Sequence, residues 1–409
     1  MPRLILLWML LAAIGALFLW RTVIPASGRL TNGFLGCYVG GQIVKEGVPG
    51  DRLYDQDWML ARTSQVSGGR DRDVFLPNPP AFAVACAPLA HLSVAGARRL
   101  WIWLSALFFG LAIGLVGTQL SDSPRLLPLT AIAALFTLST PARDQFFLGQ
   151  SYAFLLLLHV VTWRAYTHRR EGLAGLVLGL TMILKLSGWP IGLLMIAQRR
   201  WKALGWSIAI AIALALLTVP WVGLDAWRTL VTFAIPRVLR WPAATITAYQ
   251  DTTGFWQHWF RYDPEFNPAP VVDAPLLATI LTLTTAIIAC IALVVRSGPT
   301  YVRFGAAVAL TELLSPVAEQ YHYTLLLLPL AILWHEALAH RSKLTLSAAF
   351  LATFLIGWPI NYQLPHPMWE FVLSYPRLLG GWIVFAALLT TRRNAGRPLL
   401  EGRSKAVPA

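Results

Sequence analysis

Charge is what this sequence lacks most. Of 409 residues, 13% are Asp, Glu, Lys or Arg, against about 25% in a soluble domain. That excludes an ordinary water-solvated fold. Carboxylates are the scarcer sign, 19 against 33 basic residues. Cysteine occurs only as Cys37, Cys86 and Cys290, without metal-ligand spacing. Cys37 and Cys86 could meet as a disulfide only in an oxidising compartment. No Ser/His/Asp order and no phosphate-cradling glycine loop occurs. No soluble domain, linker or low-complexity tract precedes the last dozen residues. No internal repeat is visible, which weakens a transporter built of inverted halves.

Apolar residues fill the space, at 56% of the chain. Runs near membrane-span length recur from end to end, and in lipid every backbone group must be paired within the segment. The expectation is an all-α, polytopic transmembrane helical bundle with about 10–13 membrane helices. The spans fall near 4–22, 98–118, 125–139, 151–167, 172–186, 188–198, 203–221, 274–295, 304–316, 321–338, 344–358 and 374–391. The first run reads as a retained span rather than a cleaved signal. The pieces within 172–198 are short and suit a hairpin that half crosses.

Basic clusters punctuate these runs: "WRAYTHRR" (163–170), "QRRWK" (198–202), "RSGPTYVR" (296–303), "HRSK" (340–343) and "TRRNAGR" (391–397). The positive-inside rule puts all five in the cytoplasm. The net charge of +14 then reflects cytoplasmic loops and anionic lipid, not nucleic acid. Ala81–Val94 is too short to cross, so it reads as a helix at the outer leaflet. Residues 1–409 form a single membrane domain. Two long outer segments follow, 23–97, with short interfacial helices, and 222–273. The aromatics of 251–273 suit either a sugar or lipid headgroups.

Polar residues at membrane depth call for a reason. "STPARDQFFLGQSYAF" (139–154) holds Arg143, Asp144 and Gln150. It is either a local ion pair with a turn at Gly149, or a polar lip over a lipid phosphate. "MILKLSGWPIG" (182–192) sets Lys185 beside a helix break, where an ammonium snorkels or meets an anion. "LTELLSPVAEQYHYTLLLLPL" (310–330) crowds Glu312, Glu319, Gln320, Tyr321, His322 and Tyr323 round Ser315–Pro316. "HEALAH" (335–340) is not a zinc motif. His335 and His340 stand about 140° apart round a helix. No metal and no cofactor is expected.

The order of these pieces resembles a known family. One span precedes an outer loop with "LYD". Then come "PNPPAFAVACAPLAHL", "GQSYAFLLLL", "AGLVLGLTMILKLSGWP" with "RRWKAL", and "LLSPVAEQYHY". Together they resemble glycosyltransferase family 87, the mannosyltransferase-like branch of the GT-C membrane glycosyltransferases, over about residues 10–340. The resemblance implies a GT-C-like bundle with a long first extracytoplasmic loop in the cytoplasmic membrane. It implies a polyprenyl-phosphate sugar as donor, often mannose, and a lipid-linked or cell-envelope glycan as acceptor. Transfer would occur on the outer face with inversion, polyprenyl phosphate leaving.

Such chemistry needs a carboxylate to take the acceptor proton and cationic or hydrogen-bonding groups on the leaving phosphate. Lys185, His322 and Arg143 are the candidates for the phosphate; Tyr321 and Gln150 would orient donor or acceptor. The family usually carries its base, an Asp, at the start of the outer loop. In "LTNGFLGCYVGGQIVKEG" (30–47), aligned on Phe34 and Tyr38, that place holds Asn32 or Gly33. Neither can take a proton. Asp51, Asp55 and Asp57 are the substitutes expected here, Asp55 matching another family position. The competing readings are a non-catalytic GT-C-fold protein that binds lipid-linked glycan, and a transporter for a lipid-linked solute.

Overall fold

The computed structural model describes residues 2–120, 126–357 and 373–391. Residues 392–397, all of the fifth basic cluster but Thr391, and residues 125 and 358, each at one end of an expected span, lie outside these. Among the described residues there are helices and two isolated bridges but no strand. This is the all-α, polytopic membrane bundle that the apolar runs require.

α1 (Pro2–Phe18) continues through a π-turn at Leu19–Val23 to Ser27. The segment that follows, up to residue 93, is folded rather than loose. α2 (Asn32–Glu46), α3 (Gln56–Ser67) and α4 (Pro80–Cys86) enclose a core of their own. Phe34, Tyr38, Leu53, Tyr54, Phe75 and Phe82 are buried there. A Cys37–Cys86 disulfide joins α2 to α4, with Cα atoms 5.7 Å apart.

α5 (Val94–Gln119) starts at Ser93, whose hydroxyl accepts the Gly96 amide at 3.2 Å. After α6 (Leu126–Thr137) and α7 (Thr140–Leu148), the buried α8 (Tyr152–Thr167) leads to α9 (Glu171–Lys185). A sharp turn at Leu186–Gly188, both with positive φ, leads into α10 (Trp189–Ala197). α11 (Trp201–Thr229) was expected to end near 221. Instead it bends after Pro220, at Gly223, and helix continues to Leu239. Its far half presents Val222, Ala226, Leu230 and Ala234 to the core of the outer segment. Small and branched side chains at this spacing form one face of a helix.

α12 (Thr252–Phe260) is capped by Asp251. α13 (Pro275–Val295), α14 (Thr300–Leu313), α15 (Leu327–His340), α16 (Lys343–Gly357) and α17 (Pro376–Thr390) complete the bundle. α8, α14 and α15 form its buried centre. α1, α11 and α13 turn large apolar side chains outward, Leu216, Leu276 and Ile288 among them. A protein in water rarely exposes so broad an apolar belt, but lipid solvates it.

Five described helical segments are long and apolar enough to cross a membrane alone, fewer than the ten to thirteen expected. The shorter apolar helices have a reason to stop. α9 ends at Lys185, and α14 at Leu313 after Glu312, where the buried polar groups begin.

Four basic clusters meet at one end of the bundle. Arg164 donates to the Leu115 carbonyl at 2.8 Å, and Tyr166 to Gln198 at 2.8 Å. Arg200 pairs with Glu171 at 2.9 Å. Trp163 donates to the Tyr301 carbonyl, and Tyr301 to Glu336, which also holds His340 at 3.3 Å. His340 therefore sits in this network rather than at a metal centre.

Candidate functional site

The opposite end of the bundle carries Asp73, Glu312 and Glu319. α8 has 16 residues, so its two ends lie about 24 Å apart at 1.5 Å per residue. Its N-terminal residue, Tyr152, is the hub of this end. The Tyr152 ring lies 4.5 Å from the His322 ring and 5.4 Å from the Tyr321 ring. Tyr321 and His322 stack on each other at 4.5 Å. The Lys185 ammonium stands over Tyr152 at 5.8 Å and over Phe82 at 5.5 Å. It donates to Asn78 Oδ1 at 2.5 Å. Asp73, Glu319 and Glu312 are its electrostatic partners. Lys185, Asp73, Glu319 and His322 are all half-buried, while Tyr152, Tyr321 and Glu312 are buried.

The turn at 318–323 is clamped so that His322 has a fixed role. The Glu319 amide donates to His322 Nδ1 at 3.1 Å, and the Glu319 carboxylate receives the His322 amide. A ring nitrogen that accepts carries no proton, so the neutral ring holds its proton on Nε2, which is left as a donor. Tyr321 donates to Glu319 at 3.4 Å. Burial first of all pushes the Glu319 carboxyl above its usual range.

Asp251, from the second outer segment, holds this turn from below. Its carboxylate accepts the Ala318 amide at 2.8 Å and the Gly254 amide at 2.7 Å. Burial pushes it up to about 6 against those bonds. Gln320 donates to Asp144 of α7. The rings of α12 pack on one another and on Tyr375: Phe255 lies 5.2 Å from Tyr375 and 4.9 Å from Trp256.

The glycines of α2 have a steric cause. A Cβ on Gly33 would come within 2.8 Å of the Leu148 carbonyl and crowd the Gln150 amide. On Gly36 it would lie 2.7 Å from the Val74 carbonyl and 3.0 Å from Asp73 Oδ2. The helix is bare so that residues 148–150 and 73–74 can lie against it. Arg98 fixes the first of these. Its buried guanidinium donates to the Phe146, Phe147 and Leu148 carbonyls, the last turn of α7, and to Ala26. Thr31 and Trp101 hold the same turn, at Leu148 and Gly149.

Of the residues singled out from sequence, Lys185, His322 and Tyr321 come together round Tyr152, and Gln150 borders α2 beside Gly33. Arg143 is exposed and lies over Phe147 at 5.3 Å. Asp144 bonds Gln320 across to the next element rather than closing a pair with Arg143 alone. Asn32 is exposed at the start of α2, its Oδ1 accepting the Gly33 amide.

Asp51 and Asp57 are exposed at the surface. Asp55 caps α3 through the Trp58 amide at 3.1 Å and pairs with Arg52 at 2.5 Å. The Trp58 bond, with Arg52, holds its carboxyl below the usual range. None of the three is among the acids acting on Lys185. Asp73, Asn78, Tyr152 and Arg98 were not singled out. Asp73 left one faint signal, its place in "RDRDVFLPNPP", just ahead of a proline-stiffened stretch.

Fold and site together define a multi-pass membrane protein with a half-buried ammonium, three acids and an imidazole at one end of its bundle. The chain belongs to glycosyltransferase family 87, whose family model matches residues 75–317, more than half of its length. It is therefore a membrane glycosyltransferase. It is 26% identical over 395 residues to a polyprenol-phosphate-mannose-dependent alpha-(1-2)-phosphatidylinositol pentamannoside mannosyltransferase of Mycolicibacterium smegmatis. That match covers 94% of this chain and 89% of the relative. No solved structure matches the chain. The family match begins after Asp73 and α2 and ends before Glu319, so the ring of acids closes with residues outside it.

Proposed function

We propose that this glycosyltransferase moves a hexosyl group, mannosyl in the first instance, from a polyprenyl-phosphate donor to a lipid or cell-envelope glycan acceptor. The observation that carries this reading is Lys185, flanked by Phe82 and Tyr152 and close to His322. A cation and an N–H donor set among rings suit a phosphate that arrives on a lipid chain. The name of the mycolicibacterial relative supports the same donor class. Lys185 and His322 would bind the phosphate and stabilise the charge that grows on it; Tyr321 and Gln150 would orient the sugar or its acceptor. Arg143, at the exposed rim, would meet the approaching headgroup.

The reaction belongs on the outer face of the cytoplasmic membrane. Support comes from the basic end, which the positive-inside rule assigns to the cytoplasm, and from the disulfide beside the acidic end, which needs an oxidising compartment. Variants with one free cysteine, at Asp57 or at His168, made with Cys290→Ser, test this with an impermeant maleimide. Asp57→Cys should label in intact cells and His168→Cys only after permeabilisation. Labelling of both from one side overturns the orientation. For the activity, purified protein in nanodiscs is expected to release polyprenyl phosphate and mannosylate a membrane glycolipid when given polyprenyl-phosphate mannose. Failure with mannosyl, glucosyl and arabinofuranosyl donors alike would sink the reading.

A further inference from the structure

We propose that Asp73, delivered from the loop between α3 and α4, is the base that takes the acceptor proton. This rests on the transferase reading above. Three acids act on Lys185, and two of them are poorly placed for the task. Glu312 is buried inside the last turn of α14. Glu319 already accepts the Tyr321 hydroxyl and the His322 amide, and so holds the turn that positions the imidazole.

Asp73 differs on each count. It is half-buried and stands on an outer loop. Its two oxygens accept only backbone amides, Gly36 at 2.7 Å and Val74 at 2.9 Å. Each oxygen keeps a lone pair, so the carboxylate can still accept from a hydroxyl. Its own backbone is pinned on both sides by Thr63, which accepts its amide at 2.9 Å and donates to its carbonyl at 3.1 Å. The Cys37–Cys86 disulfide, one residue along α2 from Gly36, holds the opposing helix. A general base has to be held in this way, within hydrogen-bond reach of one proton.

Its place answers the missing acid of α2. Asn32 and Gly36 are four residues apart, so they share one face of the helix a turn apart. The carboxylate thus lies about one turn from the site where the chain has Asn32, reached from another segment. The bare Gly36 is what lets it approach.

The step balances. The acceptor hydroxyl gives its proton to the Asp73 carboxylate as its oxygen bonds the anomeric carbon. The bond from that carbon to the phosphate oxygen breaks, and its electron pair leaves with polyprenyl phosphate, met by Lys185 and His322. The proton then passes from Asp73 to water on the outer side.

The groups that face Asp73 set its pH behaviour. Burial raises its carboxyl to about 8, against the Gly36 and Val74 amides and Lys185, with Asp71 adding to the rise. Tyr321 also faces it. A base must be ionised to work, so the rate should climb with pH through about 8 and level off above.

Wild type, Asp73→Asn, Asp73→Glu and Glu319→Gln would be compared in nanodiscs. Transfer from polyprenyl-phosphate mannose and binding of polyprenyl phosphate would both be measured. Asp73→Asn should lose about 100-fold or more of kcat, lose the alkaline rise, and bind polyprenyl phosphate within about threefold of wild type. Asp73→Glu should keep more transfer than Asp73→Asn. The assignment is overturned if Asp73→Asn keeps its transfer and its pH rise, if Glu319→Gln alone removes that rise, or if binding falls as far as transfer. A wild type silent with every donor fails the transferase reading itself, and Asp73 then has no proton to take.

Discussion

Lys185→Met should lower transfer about 100- to 1,000-fold, the cost of removing one preorganised group from a developing anion. Several lines place the ammonium where it matters. It lies at the end of α9, over Phe82 and Tyr152, bonded to Asn78 Oδ1 at 2.5 Å. Asp73, Glu319 and Glu312 act on it from different elements. In the resting site the ammonium balances those acids. When the donor arrives, the same charge meets the phosphate, and the attraction grows as the glycosidic bond breaks.

Both kcat and binding should therefore suffer, because a phosphate is an anion before and after transfer. Methionine keeps the unbranched apolar stem, so packing against the two rings should survive. The check is kcat and KM for polyprenyl-phosphate mannose, with polyprenyl phosphate binding measured separately. Transfer within about threefold of wild type would remove Lys185 from the mechanism.

Arg98→Ala should destabilise the protein by about 3 kcal/mol, from the lost bonds of a buried guanidinium and the void it leaves. Arg98 is fully buried with no carboxylate partner among its bonds. Instead its fork caps α7: it bonds the carbonyls of Phe146, Phe147 and Leu148, which the Gly149 amide and the Thr31 hydroxyl also meet. The positive charge also meets the negative end of that helix. A further bond at 3.1 Å to the Ala26 carbonyl ties in the end of the first span.

Alanine would remove these charged bonds and open a void between α2, α5 and α7. The Gly149–Gln150 turn, which lies against Gly33, would loosen with it. Lysine should recover only part of the loss, since a point charge cannot serve the fork of acceptors. Thermal unfolding in one detergent, read for wild type, Arg98→Lys and Arg98→Ala, gives the order. A midpoint for Arg98→Ala equal to wild type would mean that water replaces the guanidinium.

Much of this was legible in the chain, for physical reasons. An apolar run of span length has one stable fate in lipid, so the helices and their lipid-facing belt followed from composition. Four of the basic clusters share one end of the bundle, as a rule that keeps basic loops on one side of a membrane requires. "MILKLSGWPIG" and "LLSPVAEQYHY" stood out because polar groups at that depth are costly. Lys185, Tyr321 and His322 lie together round Tyr152.

Other features could not be read. Asp55, in "RLYDQDW", looked like an acid awaiting a task, yet at the surface it caps α3. An N-cap Asp and a base Asp are the same residue in a sequence. α11 overran its expected end because a break at Gly223 changes direction without ending a helix.

Composition and motif order were enough for the class, a helical, multi-pass membrane glycosyltransferase, and for singling out the acid-free "LTNGFLGCYVGGQIVKEG". Tertiary structure alone decided what stands against that stretch. Its glycines admit the 148–150 turn on one side and Asp73 on the other, from segments about 115 and 40 residues away in the chain. Pairing of that kind depends on packing and chain reversal, which no local pattern encodes. The loop folded onto α2 brings the Asp73 carboxylate against Gly36.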